Sequence, residues 1–155
     1  MLDFNKIKTI SIKERKNKVK LRDLIKPEDT KALFNSKEFD ELITIVINSY
    51  KNNKQIIVMM GAHVIKVGMS LLIIDLTKKG IIKHIAMNGA GPIHDFELAL
   101  IGETSEYVEQ TIEDGTFGMI EETGSILNEA IKEGAKSNYG IGYAIGKKIN
   151  DLNLD

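Results

Sequence analysis

Two of the three histidines stand in turns that follow apolar runs. Gly61-Ala62-His63 comes directly after the run 56–60, and Asn88-Gly89-Ala90-Gly91-Pro92-Ile93-His94 comes after the run 82–87. Each run, turn and following helical stretch makes one cycle, so the chain carries the same unit twice. A turn at the carboxyl end of a parallel strand is where such sheets bind ligands. The helix start behind it offers unpaired N–H groups and the positive end of a dipole, which suit a pyrophosphate, and glycine lets the backbone come close. Imidazole titrates near neutral pH, so His63 and His94 are candidate general bases. Each is equally suited to cap a helix or bond a backbone carbonyl.

The remaining polar residues carry weaker signals. His84 falls inside the second run and reads as a buried or edge-strand residue. His63, His94 and Asp95 would make three zinc ligands if they converged, but nothing in the spacing requires it, and no metal is expected. Asp95 and Glu97 fall in the first turn of a helix opened by Pro92, where carboxylates favour the dipole without doing chemistry. Lys66 suits a phosphate or simply covers its helix face. Glu121 and Glu122 suit an amine or a solvated helix face. The nearest approach to a dinucleotide fingerprint, Gly140-Ile141-Gly142-Tyr143-Ala144-Ile145-Gly146, follows no strand, and its glycines read as close helix packing.

The elements that must position these turns follow from periodicity. Asn35 with Glu38 forms a capping-box pattern, and Phe39, Leu42, Ile43, Val46 and Tyr50 recur at helical spacing, which predicts a helix over 36–51. Strands are predicted at 56–60 and 82–87, joined by a helix over 64–79 and followed by one from Pro92. That order gives a parallel pair with a right-handed crossover. Thr104 or Ser105 is expected to cap a short helix ending near Asp114-Gly115, and two further helices follow. So small a parallel sheet, even with a third strand from the amino-terminal arm, leaves an open edge. Another chain, or a second copy, is therefore expected to complete the fold.

Composition bounds the class. The 155 residues, 43% hydrophobic with a net charge of -1, suit one domain with a core, and no apolar run approaches the length of a membrane span. The absence of cysteine excludes disulfides and thiolate chemistry, and with no export signal a cytoplasmic location is expected. Residues 1–35 read as a basic arm, with an excess of about six positive charges between Lys6 and Lys26. Nucleic acid is not expected as the partner, because the arm lacks interleaved aromatic residues beyond Phe4. Residues 36–155 read as the nucleotide-binding domain.

GAHVIKVG from Gly61, HIAMNGAGPIHDFELALIG from His84 and FGMIEETG from Phe117, in this order, resemble the deoxyhypusine synthase family, and its bacterial deoxyhypusine synthase-like branch in particular. The resemblance covers about residues 10–148, the amino-terminal half of a family member. It implies an α/β, Rossmann-like parallel sheet with flanking helices, apparently half of the family domain, a homo-oligomer, and NAD as cofactor. It also implies an NAD-dependent aminobutyl transferase that oxidises spermidine and passes its aminobutyl group through an enzyme lysine imine. By placement, NAD falls to Ala62, His63, Val64, Ile65 and Lys66 and to Asn88, Gly89 and Ala90. His94 takes the place of an acidic residue near NAD and substrate, and Ile93 with His94 replaces an acidic pair, which departs from the pattern expected for a polyamine. The imine-forming lysine belongs to the carboxyl half of the family, so a second chain is expected to supply it and this chain alone is not expected to be a competent enzyme. Two alternatives stand beside this reading: a different NAD-dependent reaction using His63 or His94 as base, and a non-catalytic binding or assembly subunit.

Overall fold

The structure, a computed structural model, describes residues 6–29 and 36–154. It is mixed α/β and divides into two compact units: Met1–Arg22 together with Pro92–Asp155, and Asp23–Gly91.

The Asp23–Gly91 unit holds both predicted strands. Helix α1 (Lys37–Lys51) is capped by Ser36, in extended backbone, whose hydroxyl accepts the Phe39 N–H at 3.1 Å. The sequence pattern pointed to Asn35 for that role, and Asn35 lies outside the described residues. Its apolar positions recur as expected, yet Phe39, Leu42, Ile43, Ile45, Ile47 and Tyr50 are all exposed. Strand β2 (Ile57–Met60) pairs in parallel with β3 (His84–Met87), in the register Ile57↔His84 to Met60↔Met87. Val58 and Met60 point to the covered face, while Ile57 and Met59 stay 58% and 82% exposed.

The crossover between these strands is not the continuous helix expected over 64–79. It is broken into α2 (His63–Lys66) and α3 (Ser70–Lys78). Gly68 accounts for the break. It has φ +87, and a Cβ there would lie 2.9 Å from the Asp23 carbonyl oxygen, while the Gly68 carbonyl accepts the Ile25 N–H at 2.8 Å. The chain at Asp23–Ile25 therefore occupies the space that a helical side chain would need.

The other unit contains a strand pair absent from the sequence reading. Strand β1 (Asn17–Lys20) runs antiparallel to β4 (Glu103–Glu106), with Val19 opposite Thr104. The arm's strand thus pairs with β4 and does not extend the parallel sheet; the structure shows two two-stranded sheets among the described residues. Thr104 and Ser105 are strand residues, not caps, and the short α5 (Val108–Thr111) starts after Tyr107 with no side-chain cap bond. Farther back in the arm, Ile10 bridges Ile120 and Ile12 is 2% exposed.

Helix α4 (Ala90–Ile101) supplies Phe96 to a core shared with Leu127 and Ala130 of α6 (Glu121–Lys136) and Ile145 of α7 (Ile141–Asp151). The close approach between the last two helices is made at Gly134, where a Cβ would overlap that of Ala144. Gly140, Gly142 and Gly146 have no atoms near their Cβ positions, so the packing role expected for them falls to Gly134.

Candidate functional site

The register Met60↔Met87 sets the ends of β2 and β3 level, so Gly61-Ala62-His63 and Asn88-Gly89-Ala90 leave the sheet side by side at its carboxyl edge. Gly61 and Gly89 are exposed, with no heavy atom within 4 Å of a Cβ position, which leaves space for a ligand against both backbones. Gly91 differs: a Cβ there would collide with the Met87 side chain. Ala90 opens the 12-residue α4, but the Gly91 N–H donates to the Asn88 carbonyl at 3.0 Å and Pro92 has none, so of the first three positions only Ala90 can add an N–H to the helix dipole in facing an anion. Helix α2 has only four residues and adds little of that kind.

The predicted cofactor residues separate by environment. His63 is exposed at the first position of α2, Ala62, Val64 and Lys66 are half-buried, and Ile65 is 5% exposed and belongs to the packing of its unit. Asn88, Gly89 and Ala90 are exposed. His84 is an exposed residue at the start of β3, not a buried one. Among the described residues, no three His, Asp or Glu side chains gather as metal ligands.

Ile93 and His94 belong to the other unit, where Ile93 is 38% exposed and His94 is half-buried. His94 leads into a buried polar network. Its Nδ1 lies 2.8 Å from Thr104 Oγ1, and Thr104 donates to Glu97 Oε2 at 2.6 Å. Arg15 reaches the same carboxylate through Nη1 to Oε1 at 3.0 Å and Nη2 to Oε2 at 2.7 Å, and Thr123 donates to Oε1 at 3.2 Å. Arg15 Nε in turn donates to Asn17 Oδ1 at 2.7 Å. Each Glu97 oxygen therefore accepts one bond from the guanidinium and one from a threonine, which offsets the large cost of taking two charges out of water.

Glu97 thus corrects the sequence reading. It does not sit in the first turn, because α4 begins at Ala90, and it is a 2% exposed carboxylate in an ion pair. Arg15, Thr104, Thr123 and Asn17 were missed as well. The usable signal was the His94–Glu97 spacing of three, which puts both on one helix face.

The amine-binding reading of Glu121 and Glu122 also changes. Glu122 accepts Ser11 Oγ at 2.6 Å and the Ile12 N–H at 2.8 Å, and the Ser11 bond holds its carboxyl below the usual range against the opposing effect of burial. Its oxygens are occupied in tying the arm to the start of α6. Glu121 remains exposed, on an open groove of about 700 Å³ that also carries Glu129, Lys132 and Glu133.

No helix among the described residues is long and apolar enough to cross a membrane. No protein-family model matches the chain, and no curated protein or solved structure does so either.

Proposed function

We propose that this chain is the NAD-binding part of a deoxyhypusine synthase-like aminobutyl transferase acting on a polyamine such as spermidine. The observation that carries the reading is the level parallel pair, with Gly61-Ala62-His63 and Asn88-Gly89-Ala90 adjacent at the carboxyl ends of β2 and β3. The residues fit a dinucleotide: the Cβ sides of Gly61 and Gly89 are open, and α4 begins at Ala90. In this reading the two turns hold the pyrophosphate through backbone N–H groups, Lys66 adds positive charge, and His63 lies against the cofactor. The chemistry that NAD would supply there is that of a hydride acceptor.

In this reading the imine-forming lysine would come from a second chain. The exposed apolar residues of α1 and the outer face of β2 suit burial against such a partner or another copy. A cytoplasmic location goes with the reading, since the chain holds no cysteine.

A different NAD-dependent reaction with His94 as base has one observation in its favour, the bond between His94 and Thr104. Binding of NAD, tested by titration calorimetry on the purified chain, supports either enzymatic reading. Failure to bind favours a non-catalytic assembly subunit. NADH formation that depends on spermidine, once a partner chain carrying the lysine is added, separates the first reading from the second.

A further inference from the structure

Helix α1 holds no buried residue, although its middle, from Leu42 to Tyr50, carries no charge. Leu42, Ile43, Val46, Ile47 and Tyr50 recur at spacings of three and four and so make one stripe. Four of them, Leu42, Ile43, Ile47 and Tyr50, are between 41% and 53% exposed. A helix with such a stripe normally lays it against another element, and the described residues leave it half open.

The charges of α1 lie at its two ends and differ in sign. Glu38, Asp40 and Glu41 open the helix with Lys37, and Lys51 closes it. Asp40, Thr44, Ile47 and Lys51 follow one another at four, three and four positions, so they form a single line along the edge of the stripe. Lys37 pairs with Glu41 at 3.8 Å, whereas Asp40 and Lys51 enter no ion pair among the described residues.

We infer that the α1 stripe is the contact between two copies of this chain, laid antiparallel about a two-fold axis that passes between Ile45 and Val46. Charge decides both the partner and the direction. Antiparallel, Asp40 of each copy stands opposite Lys51 of the other, twice in one dimer; parallel, Asp40 would face Asp40 and Lys51 would face Lys51. The opposed helix dipoles favour the same arrangement. A lipid surface fits less well, because α1 carries three acidic residues against two basic ones and anionic headgroups would repel it. One helix face offers less than the roughly 800 Å² per partner of a standard interface, so the dimer is a weak one that dissociates on dilution. The inference rests on α1 alone and not on the proposed function.

The experiment is sedimentation of the full chain across the micromolar range, at low ionic strength, where exposed charges are little screened. The expected result is a reversible monomer–dimer equilibrium. Asp40→Lys and Lys51→Asp each set like charges against each other and should weaken it about tenfold or more. The double variant Asp40→Lys with Lys51→Asp exchanges the charges and should restore it. Both side chains are exposed, so the fold should survive, and circular dichroism checks it. Should a charge variant lose its fold, Leu42→Glu, at an exposed position of the stripe, decides the matter by abolishing the dimer or leaving it unchanged. A chain that stays monomeric throughout overturns the inference, and so does a monomer that floats with anionic vesicles. A dimer indifferent to the single changes, or not restored by the double one, overturns it as well. Dimerisation through α1 without binding of NAD counts against the proposed function and leaves this contact standing.

Discussion

Arg15 and Glu97, 82 positions apart in the chain, meet through paired hydrogen bonds of 3.0 and 2.7 Å with both side chains 3% exposed. A charge so placed is tolerable only while its partner is present. The pair ties the segment before β1 to the middle of α4, and the two threonines complete the carboxylate.

Glu97→Ala should therefore lower the stability of the chain by about 3–5 kcal/mol, because it strands the Arg15 charge. Arg15→Met together with Glu97→Leu should recover part of that loss, since the apolar pair leaves no charge buried. Urea unfolding checks both, with the midpoint read at constant slope. A midpoint unchanged by Glu97→Ala would show that the pair is not buried as described.

Gly68→Ala should destabilise the chain by more than Gly80→Ala. Both glycines have positive φ, +87 and +70, and so share a backbone cost of about 1–2 kcal/mol on substitution. Only Gly68 also meets the Asp23 carbonyl oxygen, at 2.9 Å, whereas Gly80 faces open space. Thermal melting of the two variants side by side is the check, and equal melting points would remove the close approach from the account.

Much of this architecture was legible in the residues, and the parts that were not have identifiable causes. The spacing of Phe39, Leu42 and Val46 marked α1, and the apolar runs marked β2 and β3 to within two residues. Strand β4 was hidden because Glu103-Thr104-Ser105-Glu106 is polar throughout, and its partner β1 lies more than 80 positions away. The break at Gly68 depends on where Asp23 arrives, which no helical pattern records. For the same reason Glu97 read as a carboxylate that only favours the helix dipole: its environment is supplied by Arg15, Thr104 and Thr123 from outside its own helix.

Acid should loosen the arm from α6 through Glu122. Its folded carboxyl value is lowered, by the Ser11 hydroxyl first and then by the Ile12 N–H, so the bound form is the ionised one. The contribution is then fully present above the unfolded glutamate value of about 4.3 and is lost as pH falls through the lower, folded value. Ser11→Ala should flatten this part of the stability curve between about pH 5 and 3 by lowering stability above that range, only slightly because the carboxyl is near the surface, and leave stability below it almost unchanged. Denaturant midpoints across that range provide the measurement. A curve identical to that of the unaltered chain would mean that the Ser11 bond does not form in solution.

The reading of the two turns as a cofactor cradle is most directly tested by titrating the purified chain with NAD in a calorimeter, beside the Gly89→Val variant. Gly89 has open space at its Cβ position, so valine should leave the fold intact while occupying the room assigned to the cofactor. Saturable binding to the unaltered chain that is abolished or strongly weakened by Gly89→Val is the expected result. Binding weaker than about 1 mM, or an affinity that Gly89→Val does not change, would contradict it.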